Sequence, residues 1–496
     1  MSVWGTGGDA PRAEAFLDGL DHRISRQKGA HHHTSPYASH GFAYGTGCVL
    51  DHGKPPPRPA PIPCHPCALA YRDYAPNSHA PRTPKGTTPR DRRLVLIRSA
   101  LTVRRRYGNI HLGSKAEKPA EKQPTLFDTY VSNTVISTGC NTIIKNAESV
   151  TYRAWFPVEA AGSFDYRFYF SNTVDSTWGD GSDSYVGMPG GSYTIESAKV
   201  YDGGTEFDAN VTPSVSVPVT FSNGSTTKEV QPDETFWSDT VNITIPEDHY
   251  LLWEWTISGS NIPAIAMSNL AYSYADHGDG KGFLYTNEIP VPQLVGCDRE
   301  VSARIVTLGD SVTQGCQTTE FAQQFWAAQL LDQLGAEDYS LWNLGIGYAR
   351  ASDCAKDEDW LNRAIAGADV ITVAFGTNDI ISGPYGGNGH ATADEMENDV
   401  RKITQKCTDS GIKTILWNSP PFDLTPELEE IRTAYNQKVE GIADDCGASY
   451  FDVAALLADP SDAAKTVYGQ HPNDEGGTVI ADALVKVVRE IEKTSE

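Results

Sequence analysis

The run Arg304-Ile-Val-Thr-Leu-Gly-Asp-Ser-Val-Thr-Gln-Gly315 passes from strand-forming residues straight into Gly309-Asp310-Ser311. A hydroxyl at the carboxyl end of a strand, beside glycines that free the backbone to turn, is where an α/β enzyme can hold a nucleophile. Alone, the triplet is ordinary turn chemistry. A serine needs a base to take its proton, and histidine is the usual one because its pKa lies near neutrality. Of the 13 histidines, only His249, His277, His390 and His471 lie beyond residue 120, and only the last two follow Ser311. His471, in Gln470-His-Pro-Asn-Asp-Glu-Gly476, is the natural base; His390 sits in a Gly-rich loop that suits exposure or substrate contact. An acyl-transfer intermediate also needs donors aimed at its oxyanion. A glycine of Asn343-Leu-Gly-Ile-Gly-Tyr348, the amide of Asn378 in Phe375-Gly-Thr-Asn-Asp379 and the N–H of Ser311 itself are the candidates. Each segment alone reads as a turn, but the four in succession point to ester chemistry.

The elements that must position these residues begin at Val301. Strands are expected at 305–308, 340–343, 370–375, 414–417 and 449–451. Helices are expected at 320–334, 358–366, 393–407, 426–445 and 475–492. Strand alternating with helix implies right-handed crossovers, a doubly wound parallel sheet, and a ligand site at the carboxyl ends of the strands. The loop 382–390 and Trp417 would border that site. Residues 125–292 have a different texture. Short alternating runs such as Asp165-Tyr-Arg-Phe-Tyr-Phe170 and Val241-Asn-Ile-Thr-Ile245, separated by Gly, Asn, Asp and Pro turns, predict an all-β sandwich, plausibly a jelly roll. Its aromatics Trp178, Tyr185, Tyr193 and Trp237 are either core packing or platforms for sugar rings.

Residues 1–120 hold neither period. With the segment Pro55-Pro-Pro-Arg-Pro-Ala-Pro-Ile-Pro63, the tract His31 to His33 and the cluster Arg104-Arg-Arg106, they are expected to be disordered and basic. They carry 18 basic against 8 acidic residues, whereas the remainder carries 22 against 56, within a net charge of −24. An acidic folded part disfavours nucleic acid and anionic membrane, and favours a neutral or weakly charged small-molecule or glycan partner. Cys64-His65-Pro66-Cys67 is one CxxC pair where a zinc ribbon needs two, so neither metal nor cofactor is expected. The nine cysteines show no disulfide spacing and are expected to be free. No leader of the secretory kind and no apolar span precedes the folded part, which favours a cytoplasmic location unless the N-terminus is misassigned.

In the order Gly-Asp-Ser, Asn-x-Gly, Gly-x-Asn-Asp, His-Pro-Asn, residues 300–496 resemble the SGNH (GDSL-like) hydrolase superfamily. The resemblance implies a flavodoxin-like sheet, Ser311 as nucleophile, His471 as base, and an oxyanion hole of Ser311, Asn378 and a second-block glycine. Gly347 is the expected glycine and Gly345 the alternative. Val312 stands where the family usually has Leu. The family usually carries Asp three residues before the histidine, and that position is Tyr468 here. Either a backbone carbonyl orients His471, giving a Ser-His dyad, or a displaced carboxylate such as Asp462 or Asp459 reaches it. A β-sandwich ahead of such a domain is similar to the second family of carbohydrate esterases, which implies a serine esterase acting on short acyl, notably acetyl, esters of carbohydrate. A lipase or thioesterase of the same superfamily, or a weakened carbohydrate-binding protein, are the alternatives.

Overall fold

A computed structural model describes residues 124–176, 186–210, 212–213, 215–356, 358–382, 390–457 and 471–493. Every described residue lies within one compact unit, Gly113–Glu496. The expectations for residues 1–120, Trp178, Tyr185, Asp459, Asp462 and Tyr468 fall outside the described residues.

From residue 303 onward the strands Ala303–Gly309, Tyr339–Gly345, Val370–Ala374, Lys413–Trp417 and Ser449–Phe451 form one sheet. All four pairings are parallel. The first strand lies between the second and third, the 2-1-3-4-5 order of a flavodoxin-like sheet. Parallel strands are covered on both faces, which is why Val370-Ile-Thr-Val-Ala374 is buried at every position. The helices Glu358–Ala366, Ala393–Asp409, Pro426–Cys446 and Asp474–Lys493 fall where the periodicity puts them. Thr392 and Thr425 cap two of them through their hydroxyls.

One helix begins later than its pattern suggests. It spans Trp326–Leu334, whereas residues 320–325 are turns with Phe321 and Gln323 at positive φ. Tertiary contacts override propensity in this loop. Phe321 stacks on Tyr272 with centroids 3.9 Å apart, and Thr319 N–H donates to Asp474 Oδ1 at 2.7 Å.

Residues 131–297 build two antiparallel sheets. One orders Val131–Ser132, Leu294–Cys297, Gly162–Ser171 and Thr235–Trp237, with Val241–Ile245 also pairing Gly162–Ser171. The other is centred on two long strands, Thr142–Pro157 and Tyr250–Ala266, which pair along nearly their whole length. Both are longer than the alternation of short runs suggests. Aromatic faces of the two sheets meet, with Phe168 4.6 Å from Trp253 and Phe170 5.6 Å from Trp255 between centroids. Tyr193 is buried in the core, whereas Trp237 is half-buried and packs on Phe127 and Tyr169. None of the described cysteines is in a disulfide, and only Cys316 among them is not fully buried.

The β region closes the edge of the parallel sheet. Residues 131–141 are buried beside the edge strand Tyr339–Gly345, with Thr138 N–H donating to Asn343 O at 3.2 Å and Trp342 Nε1 donating to Gln293 O at 2.8 Å. An unpaired strand edge would otherwise present its backbone to solvent. Deeper in the same contact, Arg363 of the α/β region pairs with Asp175 of the β region, their side chains 2% and 0% exposed.

Candidate active site

The first strand of the parallel sheet ends at Gly309, where the chain turns into the short helix Ser311–Gln314. A Cβ at Gly309 would lie 2.1 Å from Thr313 Oγ1 and 2.7 Å from Ala374 O, so only glycine allows so tight a turn. Asp310 caps the helix, its carboxylate accepting from Val312 N–H at 2.9 Å. Burial pushes the Asp310 carboxyl up to about 7. Its role is to hold the turn that carries Ser311.

His471 reaches Ser311 from the segment leading into the last helix, where Asn473 Oδ1 accepts from Gly476 N–H at 2.9 Å. The His471 Nε2 to Ser311 Oγ distance is 2.7 Å, a hydrogen bond suited to proton transfer. Phe422 stands edge-on to the imidazole at 5.8 Å. The residue as a whole keeps partial exposure, but its Nδ1 is buried and has no hydrogen-bond partner among the described residues. Burial lowers the imidazole pKa to about 4, because the charged form is the one that loses hydration. His390 is exposed, in line with the expectation that it is not the base.

Asn378 is buried, and its Nδ2 donates to Ala349 O at 3.1 Å. An amide nitrogen carries two hydrogens, so this bond orients both. The neighbouring Asp379 ties the same segment to the second-strand turn, accepting from Ala351 N–H at 3.0 Å and Ser352 N–H at 3.4 Å. Burial raises its carboxyl to about 7. Asn343 joins three elements: its Oδ1 accepts from Thr307 Oγ1 at 3.1 Å and Gly345 N–H at 2.9 Å, and its Nδ2 donates to Thr313 O at 3.1 Å.

The second-block glycine departs from expectation. Gly347 N–H donates to Gln314 Oε1 at 2.9 Å, and its carbonyl accepts from Asn141 Nδ2 at 3.0 Å. Its N–H is thus turned toward a side-chain acceptor rather than held open for an oxyanion, and Gly345 N–H is likewise taken by Asn343. The residue after Gly347 is unusual for its type: Tyr348 has φ of 66°, a left-handed conformation that a bulky residue adopts only when its surroundings impose it. Trp417, expected at the site's border, is 1% exposed and packs on Trp326 and Phe451. The loop 383–389 and the acids Asp459 and Asp462 lie outside the described residues.

Sequence reasoning missed Gln314, Asn141, Asp310 and Asp379 as parts of this arrangement. Asp310 sits inside a quoted motif, where a question about what caps the following helix would have found it; Asp379 sits inside another, but the helix whose N–H groups it accepts from, Ala351–Lys356, precedes it in the chain. Nothing local marks Asn141.

Residues 307–479 match the GDSL-like lipase/acylhydrolase family, so the α/β region of this chain carries a domain of that family. No curated protein matches the chain at a significant level. Among solved structures, an acetyl xylan esterase, AlAXEase, is similar at 24% identity, covering 37% of this chain and 99% of its own, with a TM-score of 0.32. TesA is similar at 17% identity, covering 38% and 99%, with a TM-score of 0.32. A variant of Axe2, an acetyl-xylooligosaccharide esterase from Geobacillus Stearmophilus, is similar at 20% identity, covering 39% and 95%, with a TM-score of 0.32. Among the described residues no helix is long and apolar enough to cross a membrane.

Proposed function

We propose that this protein is a serine esterase that hydrolyses short-chain acyl esters, acetyl esters of carbohydrate in particular, through an acyl-enzyme. The observation that carries the reading is the 2.7 Å bond between His471 Nε2 and Ser311 Oγ at the carboxyl end of the first strand. His471 Nε2 takes the hydroxyl proton as Ser311 Oγ attacks the ester carbonyl. The tetrahedral oxyanion is met by the N–H of Ser311 and by the Asn378 amide. The intermediate collapses as His471 returns the proton to the leaving alcohol. Water then attacks the acyl-enzyme with His471 again as base, which releases the acid and restores Ser311.

A low imidazole pKa keeps His471 neutral, and so able to accept a proton, over most of the pH range. Support for the carbohydrate ester comes from domain order, an antiparallel β region ahead of the hydrolase, for which a jelly-roll-like accessory domain is the assignment we favour. A partner of that class is neutral, which suits the acidic composition. The test is hydrolysis of p-nitrophenyl acetate and release of acetate from acetylated oligosaccharides by the full chain and its Ser311→Ala variant. Loss of both activities in the variant is expected. Retention of p-nitrophenyl acetate hydrolysis would remove Ser311 from the mechanism, and a preference for long acyl chains would redirect the reading to a lipase or thioesterase.

A further inference from the structure

The backbone of the second-strand turn is held by a closed ring of four hydrogen bonds, and half of that ring belongs to the β region. Gly347 N–H donates to Gln314 Oε1 at 2.9 Å, and Gln314 Nε2 donates to Ala266 O at 2.7 Å. Ala266 N–H donates to Asn141 Oδ1 at 3.2 Å, and Asn141 Nδ2 donates to Gly347 O at 3.0 Å. Two primary amides thus bridge two backbone residues, Ala266 at the end of a long β-region strand and Gly347 in the hydrolase turn. Asn141 and Ala266 are 0% exposed and Gln314 is 1% exposed, so water does not compete for these bonds. A buried, fully satisfied ring has one low-energy arrangement, because rotating either amide by half a turn would set N–H against N–H and C=O against C=O.

The ring holds two segments of the site, the helix that carries Ser311 and the second-strand turn. Gln314 is the last residue of the helix that Ser311 opens, and its N–H donates to Asp310 O at 2.9 Å. Asn141 pins the carbonyl of the Gly347–Tyr348 peptide. A trans peptide directs its N–H opposite to its carbonyl, so the N–H of Tyr348 is aimed away from the β region. The left-handed φ of 66° at Tyr348 is a strain that a fixed neighbouring peptide can hold in place.

We propose that Asn141 is a positioning residue for catalysis: through this ring the β region sets the second-strand turn against the helix that carries Ser311, and the hydrolase is incomplete without it. The inference rests on the esterase reading above. It gives the β region a part in the reaction itself, beyond any contact with substrate.

The experiment compares four full-length variants, Asn141→Ala, Asn141→Asp, Arg153→Met and Ser311→Ala, by p-nitrophenyl acetate kinetics normalised to folded enzyme, with thermal unfolding of each. Asn141→Asp is isosteric, keeps the acceptor for Ala266 N–H, and replaces the donor to Gly347 O with a second oxygen. Arg153 lies in the β region in a buried pair with Glu254, so its loss lowers stability at a site the ring does not include. Expected are a fall in kcat of about tenfold to a hundredfold in both Asn141 variants with KM little changed, short of the 10²–10³ that loss of an oxyanion donor costs. Arg153→Met should melt lower yet keep kcat within about twofold. Should Asn141→Ala fail to fold, Asn141→Asp carries the comparison. Asn141 variants with unchanged kcat beside an inactive Ser311→Ala would overturn the positioning role and leave the esterase reading intact. An active Ser311→Ala would overturn the esterase reading and this inference with it.

Discussion

The two regions of this unit use buried polar groups for different ends. In the α/β region they converge on strand ends: Asp310 caps the helix Ser311–Gln314, Asp379 holds the helix after the second strand, and Asn343 ties together the first two strands and the helix Ser311–Gln314. In the β region the interior is largely aromatic, and while Arg153 pairs with Glu254 inside it, the buried side chains of Asn141 and Asp175 bond across to the hydrolase. Burying a polar group is tolerated only when it is paired, so each such residue marks a contact that the fold must make. The difference teaches that the β region is packed against the hydrolase through specific bonds, over and above general burial of apolar surface.

The strongest way to test that contrast is at the reaction centre. Ser311→Ala should lower kcat/KM for p-nitrophenyl acetate by at least about 10⁴-fold with the melting temperature little changed. Asn378→Ala should cost about 10² to 10³ in kcat, the range for one oxyanion donor; a drop below tenfold would assign it to structure alone. Between the regions, Arg363→Met leaves Asp175 buried without its cation and should destabilise the protein by about 3–5 kcal/mol in denaturant unfolding. Arg401→Ala removes a half-exposed partner of Glu397 and Asp445 and should change stability by no more than about 1 kcal/mol. Equal effects from the two would mean that the regional contact is no stronger than the surface. The smallest effect is in the pH profile. His471 must be neutral to act, and with its pKa lowered to about 4, kcat/KM should stay level as pH falls from 8 to about 5 and decline only below that. An acid limb near the ordinary 6.5 would instead indicate a carboxylate at Nδ1, and Asp459→Ala and Asp462→Ala would identify which.

Much of this was legible in the chain. The five strands of the parallel sheet fall within two residues of the positions their apolar runs predict, because a strand buried on both faces needs an unbroken apolar sequence. Four helices obeyed their periodicity. The helix at Trp326–Leu334 did not start where its pattern did, because Phe321 found a ring in the β region to stack on. The candidate site was legible as residue types in order, since a serine at a strand end and a later histidine are chemical requirements. The burial of Tyr193 was not, because an alternating strand does not say which of its faces will be covered.

By itself the sequence determined the alternation of strand and helix that makes an α/β sheet, and it singled out Ser311 and His471 as the candidate nucleophile and base, since both follow from local pattern and side-chain chemistry. Only the tertiary structure decided which backbone groups face the reaction. Gly347 looked like a donor by its place in the turn, but its N–H points to Gln314 and its carbonyl to Asn141, some two hundred residues earlier. A peptide's orientation is set by whichever partner comes within about 3 Å, and no periodicity in the chain records that distance.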